Sequence, residues 1–209
     1  MPEERRPVRR QARGLKRMAA ILDAAEEVIT EVGYAEATTN AIAARAGMSP
    51  GSLYQFFRNK EEILDGLLAR FTTERRLFWD AYFTPDSVAT PLPDLVGQVI
   101  DAAVSFKRAH PAYWSLLYGS ATADRLAEAS ARLHQDVARR LAEVLALRAP
   151  HLPPERRLTL ATMVLATVTA IMPRIVEAPP DRAEELTAEL KTMLIAYLTP
   201  ALTRPEPSP

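Results

Sequence analysis

Ala41 to Leu64 reads AIAARAGMSPGSLYQFFRNKEEIL, and this stretch decides the fold. It is rich in alanine and interrupted by Gly47, Pro50 and Gly51. Its aromatic run, Tyr54 to Phe57 broken only by Gln55, leads into Arg58 and Lys60. Two short helices joined by a turn of three or four residues containing glycine form a helix-turn-helix. In that unit the first helix braces against the nucleic-acid backbone and the second lies in the major groove. Thr39 is expected to cap the first helix, and Gly47 to end it. Ser49 caps the second, with Pro50 at its first position. Ile42, Met48, Leu53 and Phe57 fall on the inner side, while Ala43, Ala44 and Ala46 allow a close crossing. Ser49, Pro50, Ser52, Tyr54 and Gln55 are left for the outer face. Glutamine matches an adenine edge with two hydrogen bonds. The hydroxyls of Tyr54 and Thr39 suit phosphates. Lys60 opens a further helix, where its charge and the helix N-terminus can hold a phosphate. Spacing alone fits an ordinary helical hairpin equally well; the glycine turn, the polar face and a basic arm favour DNA.

Helical periodicity continues on both sides. Ile21, Leu22, Ala25, Val28, Ile29 and Val32 make one apolar stripe on a first helix spanning about Leu15 to Val32, closed by Gly33. Lys60 begins a long fourth helix carrying Leu64, Leu67, Leu68, Phe71 and Phe78. After the linker FTPDSVATPLPD, helices are expected near 93–110, 111–119, 122–149, 154–177 and 181–203. No alternating strand pattern occurs, and the prolines fall mostly at seams between periodic segments. The expected architecture is all-α. It has a basic flexible arm over 1–14, a three-helix helix-turn-helix domain over 15–75, a larger helical domain over 76–203 and a disordered tail over 204–209.

Composition bounds the chemistry. The 209 residues are 48% apolar, enough for a core, and contain no cysteine. Disulfides, thiolate metal sites and cysteine nucleophiles are therefore excluded. Net charge is zero, but it is unevenly placed: residues 1–60 hold 10 Lys or Arg against 7 Asp or Glu, and residues 61–209 hold 16 against 19. In the first 17 residues the count is 7 against 2. Such an end suits phosphates, or is a solvated tail. That N-terminus has no apolar segment, so no leader is expected and a cytoplasmic location is. Leu158 to Pro173 is apolar but short for a membrane span and diluted by four threonines, which reads as a buried helix. His110, His134 and His151 lack metal-ligand spacing, and no glycine-rich phosphate loop or nucleophile elbow occurs. No metal, cofactor or catalytic constellation is expected.

The segment from Ile21 to Leu68 closely resembles the DNA-binding domain of the tetracycline-repressor (TetR) family of transcriptional regulators. The matching pieces are ILDAAEEVITEVGY, TTNAIAARAGMSPGSLYQFF and RNKEEIL. The resemblance implies a dimeric regulator, most simply a repressor that leaves a palindromic double-stranded operator when a small molecule enters its C-terminal domain. The DNA-facing set is then Thr39, Arg45, Ser49, Pro50, Gly51, Ser52, Tyr54, Gln55 and Lys60, with Pro50 and Gly51 letting backbone approach the duplex. Phe56 departs from the pattern: many relatives carry a histidine or tyrosine there, and phenylalanine cannot hydrogen-bond to a phosphate.

The rest of the chain matches that family only in helix count and length. FKRAHPAYWSLLY, Phe106 to Tyr118, is aromatic around Pro111. Phe106, Tyr113, Trp114 and Tyr118, with Phe71 and Phe78, are candidates for lining the pocket of a largely apolar effector, or for plain core filling. Residues 158–176 are apolar nearly all round, so one face needs a partner beyond its own domain. Paired with the stripe of the last helix, this predicts a four-helix homodimer interface including Leu165 and Leu194. Two other classes remain open: a helical small-molecule carrier without a DNA role, and an enzyme on a helical scaffold.

Overall fold

The computed structural model describes residues 5–82, 84, 89–118 and 124–203; among these, the side chains of residues 5–11, 114, 115, 117, 118, 124–127, 129, 130 and 133 fall outside the description. The described residues form helices α1 (Arg5–Glu36), α2 (Thr39–Arg45), α3 (Pro50–Leu53), α4 (Lys60–Tyr82), α5 (Leu92–Ala109), α6 (Pro111–Tyr118), α7 (Asp124–Arg148), α8 (Pro154–Glu177) and α9 (Pro180–Leu202). No strand occurs among them. The all-α expectation holds, and the last five helices lie within a few residues of the periodicity that announced them. The tail over 204–209 lies outside the described residues.

Two compact units divide the chain. The first comprises residues 1–76 and 110–119, the second residues 77–109 and 120–209. The division falls inside α4, after Arg76. Residues 110–119 return to the first unit, which a single boundary along the sequence cannot capture.

In the first unit, Ile21, Ala25 and Ile29 of α1 meet Ile42 and Ala43 of α2, Leu53 of α3 and Ile63 and Leu67 of α4 in one buried core. α4 approaches α1 closely. A Cβ on Gly66 would lie 3.0 Å from Leu22 Cδ2 and 3.2 Å from Phe57 Cε1. Gly33 takes the positive φ of 78° that the sequence led us to expect, and it kinks α1 rather than ending it. The start of α1 differs from expectation. It begins at Arg5, not Leu15, so residues 5–14 extend the helix instead of forming a flexible arm. No acid lies in its first turn; Pro7 falls in that turn, where a proline's missing N–H costs no helical hydrogen bond, and residues 8–13 contain no glycine or proline.

α6 docks on α1 and α4 through a polar cluster. Arg70 pairs with Asp23 at 2.6 Å and with Glu26. His110 places Nδ1 3.3 Å from Glu26 Oε1 and Nε2 3.7 Å from Glu74 Oε2. Tyr113 is buried edge-on against Phe71, centroids 5.0 Å apart, and its hydroxyl accepts from Arg75 at 3.2 Å.

In the second unit α5, α7, α8 and α9 pack around Leu145, Leu160, Ala161 and Leu198. Asp101 on α5 pairs with Lys191 on α9 at 2.7 Å. α8 has a mean hydropathy of 1.6 over 18 residues, yet only 22% of that window is buried within the chain. Its own chain therefore does not bury this helix by itself: Leu158 and Met163 on α8 and Met193 and Tyr197 on α9 stand exposed.

Among the described residues of this unit, Lys107 is a buried cation, 5% exposed on the inner face of α5. Burial drives its ammonium pKa down to about 6, against a smaller upward pull from Glu177. A lysine with a lowered folded pKa binds fewer protons folded than unfolded between about pH 6 and its ordinary value of 10.5. Its burial therefore costs stability throughout that window, most at the acid end, and the cost fades as pH rises toward 10.5. Lys107→Met removes this titration, so its stability relative to the parent is expected to fall between pH 7 and pH 10 as the cost carried by the parent fades, as thermal unfolding at the two pH values will show.

Candidate nucleic-acid interface

The α2–turn–α3 unit is built by caps and one glycine. Thr38, not Thr39, caps α2: its Oγ1 accepts from the amide of Ala41 at 3.1 Å. Threonine is available at both positions, and only Thr38 has the extended backbone a cap requires. Gly47, at φ 65°, turns the chain out of α2. Ser49 then caps α3 as expected, accepting from the Ser52 amide at 3.2 Å, with Pro50 in the first turn. α3 closes after Leu53. Gln55 therefore lies in the following turn, its amide pointing back to the Ser52 carbonyl at 3.4 Å.

Thr39, released from capping, serves the outer face. Its hydroxyl meets the Tyr54 hydroxyl at 3.1 Å, joining α2 to the end of α3. Ser49 and Ser52 hydroxyls lie 3.0 Å apart beside it. Pro50, Gly51, Tyr54 and Gln55 are exposed, and nothing lies within 4 Å of where a Gly51 Cβ would stand. The structure thus brings Thr39, Ser49, Pro50, Gly51, Ser52, Tyr54 and Gln55 onto one polar, nearly uncharged surface. Ile42, Leu53 and Phe57 face inward as expected, whereas Met48 and Phe56 are half-buried and Ala44 is exposed.

The two basic candidates are placed differently. Arg45 turns back to α1, donating to Glu31 at 2.9 and 2.6 Å and to Glu27 at 3.0 Å. Its hydrogen bonds hold the Glu31 carboxyl below the usual range, and both acids raise the arginine further. Lys60 donates to the carbonyls of Tyr34 and Ala35, each at 3.0 Å, with its ammonium over the Tyr34 ring. It closes the C-terminal end of α1, and one of its three donors is left for a phosphate. Asn59 and Glu62 were missed. Asn59 Oδ1 accepts from the Glu62 amide at 2.8 Å, and Glu62 reaches back to the Arg58 amide at 2.7 Å. The spacing N-x-x-E was the available signal for this reciprocal cap at the start of α4.

The aromatic candidates separate. The second unit encloses a cavity of about 170 Å³ lined by apolar groups from α4, α5, α7, α8 and α9. Phe78 lines it, as does Trp79, which sequence reasoning missed. Phe71 and Tyr113 fill the core of the first unit instead. Phe106 stacks on Phe78 at 6.1 Å between centroids without reaching the lining. The side chains of Trp114 and Tyr118 lie outside the described residues. Leu165 and Leu194, the interface candidates, line this cavity and so face inward. Helical phase explains the difference: the outward positions of α8 and α9 are Met163 and Met193, two residues and one residue earlier.

Comparison with known proteins follows the same division. The family model described as tetracyclin repressor-like, C-terminal domain, matches residues 91–198, and that of bacterial regulatory proteins, tetR family, matches residues 21–67. An uncharacterized HTH-type transcriptional regulator, YhgD of Bacillus subtilis, is 29% identical over 96 residues, 46% of this chain and 49% of that protein. The chain spans about half the length, or less, of the curated relatives it matches. Among solved structures, the SmeT–triclosan complex, SmeT being the repressor of a Stenotrophomonas maltophilia efflux pump, superposes with a TM-score of 0.69. It is 24% identical, covering 93% of this chain and 99% of that one. FadR of Bacillus subtilis in complex with stearoyl-CoA gives 0.63 at 19% identity, covering 86% and 98%. At these identities the likeness is one of fold.

The cap assignment is directly testable. Thr38→Ala should lower the unfolding free energy by about 1 kcal/mol, while Thr39→Ala should change it by only a few tenths. Thermal unfolding of the two variants reverses the assignment if Thr39→Ala is the costly one.

Proposed function

Since the chain belongs to the tetracycline-repressor family of transcriptional regulators, we propose that it is a ligand-releasable repressor that binds a palindromic operator as a homodimer. The family is one of regulators, not of enzymes, and an operator places its work in the cytoplasm. The observation that carries the reading is the polar face of Thr39, Ser49, Ser52, Tyr54 and Gln55, held by paired hydroxyls and fixed caps on a helix-turn-helix. Gln55 presents a donor and an acceptor for an adenine edge. The Tyr54 hydroxyl, shared with Thr39, is suited to a phosphate. A carrier without a DNA role has no use for such a face.

Two features support the remainder of the proposal. The apolar outer face of α8 and α9, with Leu158, Met163, Met193 and Tyr197 exposed, calls for a covering, and a second copy supplies a four-helix interface about a two-fold axis. A palindromic operator requires such symmetry. The cavity of the second unit is lined mostly by aliphatic and aromatic side chains, with Arg148 among them, which suits an effector that is largely apolar. Relatives of this fold are named for complexes with triclosan and with stearoyl-CoA, both of which carry extensive apolar surface. Release of DNA then requires that the effector favour one arrangement of the dimer over another.

Selection from a random duplex pool tests the reading: the bound sequences should contain an inverted repeat, and a pool without enrichment contradicts it. Against the selected operator, Gln55→Ala should cost about 1–3 kcal/mol and relax preference at one base pair per half-site. Tyr54→Phe should weaken operator and random duplex alike, by roughly 0.5–1.5 kcal/mol. A Gln55→Ala profile parallel to the parent's across single-base operator variants removes Gln55 from base reading.

Met163→Arg combined with Met193→Arg puts charge on a surface that is exposed in the single chain and buried in the dimer. The variant should keep its helicity and sediment as a monomer, because desolvating each unpaired charge costs several kcal/mol. A parent protein that is itself a monomer at micromolar concentration contradicts the interface.

A further inference from the structure

The recognition surface carries little usable charge. Arg45 is held by Glu27 and Glu31, Lys60 has one donor left beyond its two bonds at the end of α1, and the exposed Arg58 lies 3.6 Å from Glu62. Deeper in the unit, Arg70 is committed to Asp23 and Glu26. Sequence-independent affinity for DNA nevertheless depends on cations that displace counterions from phosphates. Those cations are found at the start of α1. Among the described residues, Arg13, Lys16 and Arg17 are exposed and make no ion pair. At about 100° per residue, the helix from Arg5 onward puts positions 5, 6, 9, 10, 13, 16 and 17 within an arc of about 140°. All seven are arginine or lysine. No acidic residue lies between Arg5 and Leu22.

We propose that this N-terminal extension of α1 is a second DNA-contact element, a helical basic stripe that runs along the phosphate backbone and supplies most of the sequence-independent affinity. The proposal rests on the regulator reading above. From position 5 to position 17 the stripe is about 18 Å long, enough to pass about five phosphates of one strand. It leaves the core at Ile21, the first fully buried residue of α1, in the same unit as the polar recognition face. A stripe differs from a loose basic arm because its charges act together only while the helix holds. Gly14 sits in the middle of it, and a Cβ there would meet nothing within 4 Å. That glycine weakens the helix without serving any packing purpose, so the stripe's order can be raised or broken at one position without touching a charge.

Binding to a random-sequence duplex three helical turns long, measured over a range of salt, tests the stripe. The triple variant Arg13→Gln, Lys16→Gln, Arg17→Gln should reduce the slope of log affinity against log salt by about 2–3 per subunit, at about 0.9 per lost phosphate contact. Gly14→Ala should bind up to about fivefold more tightly at low salt, following the gain in helix propensity. Gly14→Pro, with every charge retained, should lose affinity and slope together. Circular dichroism, through the expected rise and fall of helicity in the Gly14 variants, shows that each is folded. A triple variant with the parent's slope overturns the proposal. So does a Gly14→Pro variant that binds as the parent does, since the charges then act as a flexible arm. Binding to equimolar phosphatidylserine and phosphatidylcholine vesicles that the triple variant loses, with its DNA slope intact, assigns the stripe to membranes and also overturns it. Salt-independent or absent binding of the parent to any duplex is a different failure and removes the regulator reading itself.

Discussion

The recognition unit is too short to stand alone. α2 has seven residues and α3 four, well below the roughly 12–15 at which an isolated helix becomes even marginally stable in water. Their geometry therefore depends on burial of Ile42, Ala43, Leu53 and Phe57 against α1 and α4. The close approach at Gly66 fixes how near α4 comes to α1, and a larger side chain there meets Leu22 and Phe57 directly. Position on the outer face follows from position in that core: with the buried set turned inward, Ser49, Ser52, Tyr54 and Gln55 are left outside it. The caps of Thr38 and Ser49 and the reciprocal cap of Asn59 and Glu62 then set where each short helix begins.

Charge is distributed by the same logic. Arginines near the core, Arg45 and Arg70, are spent holding α1 to α2 and α4, where fixed geometry makes paired charges useful for register. The polar outer face is left with hydroxyls and one carboxamide, groups that can discriminate bases by hydrogen-bond pattern if that face meets DNA as proposed. His110, Glu74 and Arg75 extend the polar network to α6, so the first unit is completed by a segment from the middle of the chain. The second unit keeps an apolar cavity inside and an apolar face outside on the same pair of helices.

Much of this was legible in the sequence, for physical reasons that also explain the misses. Glycine and proline punctuation located nearly every helix, because those residues act on backbone geometry without regard to tertiary context. Gly33 and Gly47 both take the positive φ expected of them. The inward set of the helix-turn-helix was readable because a helix face is fixed by a period of 3.6. Choices between adjacent equivalents were not. Thr38 and Thr39 differ only in backbone conformation. Leu165 and Met163 are both apolar, and only packing says which faces inward. Phe71 and Tyr113 looked like pocket residues since an aromatic stripe fills a core and lines a cavity with the same composition. The intramolecular partners of Arg45 and Lys60 were not legible, because a sequence shows a cation but not the acids or carbonyls that it meets. The basic segment at the N-terminus read as an arm because a charged stretch without apolar partners leaves no core-facing stripe, though its cations repeat at helical spacing.

The surface from Thr38 to Phe56 is the one we propose to meet DNA. Backbone amide hydrogen exchange, measured with and without a selected operator duplex, reads that surface residue by residue. The account predicts slowed exchange at the amides of α2, the Gly47 turn and α3, centred on Ser49 to Gln55. Unchanged exchange there, with protection confined to the second unit, contradicts it.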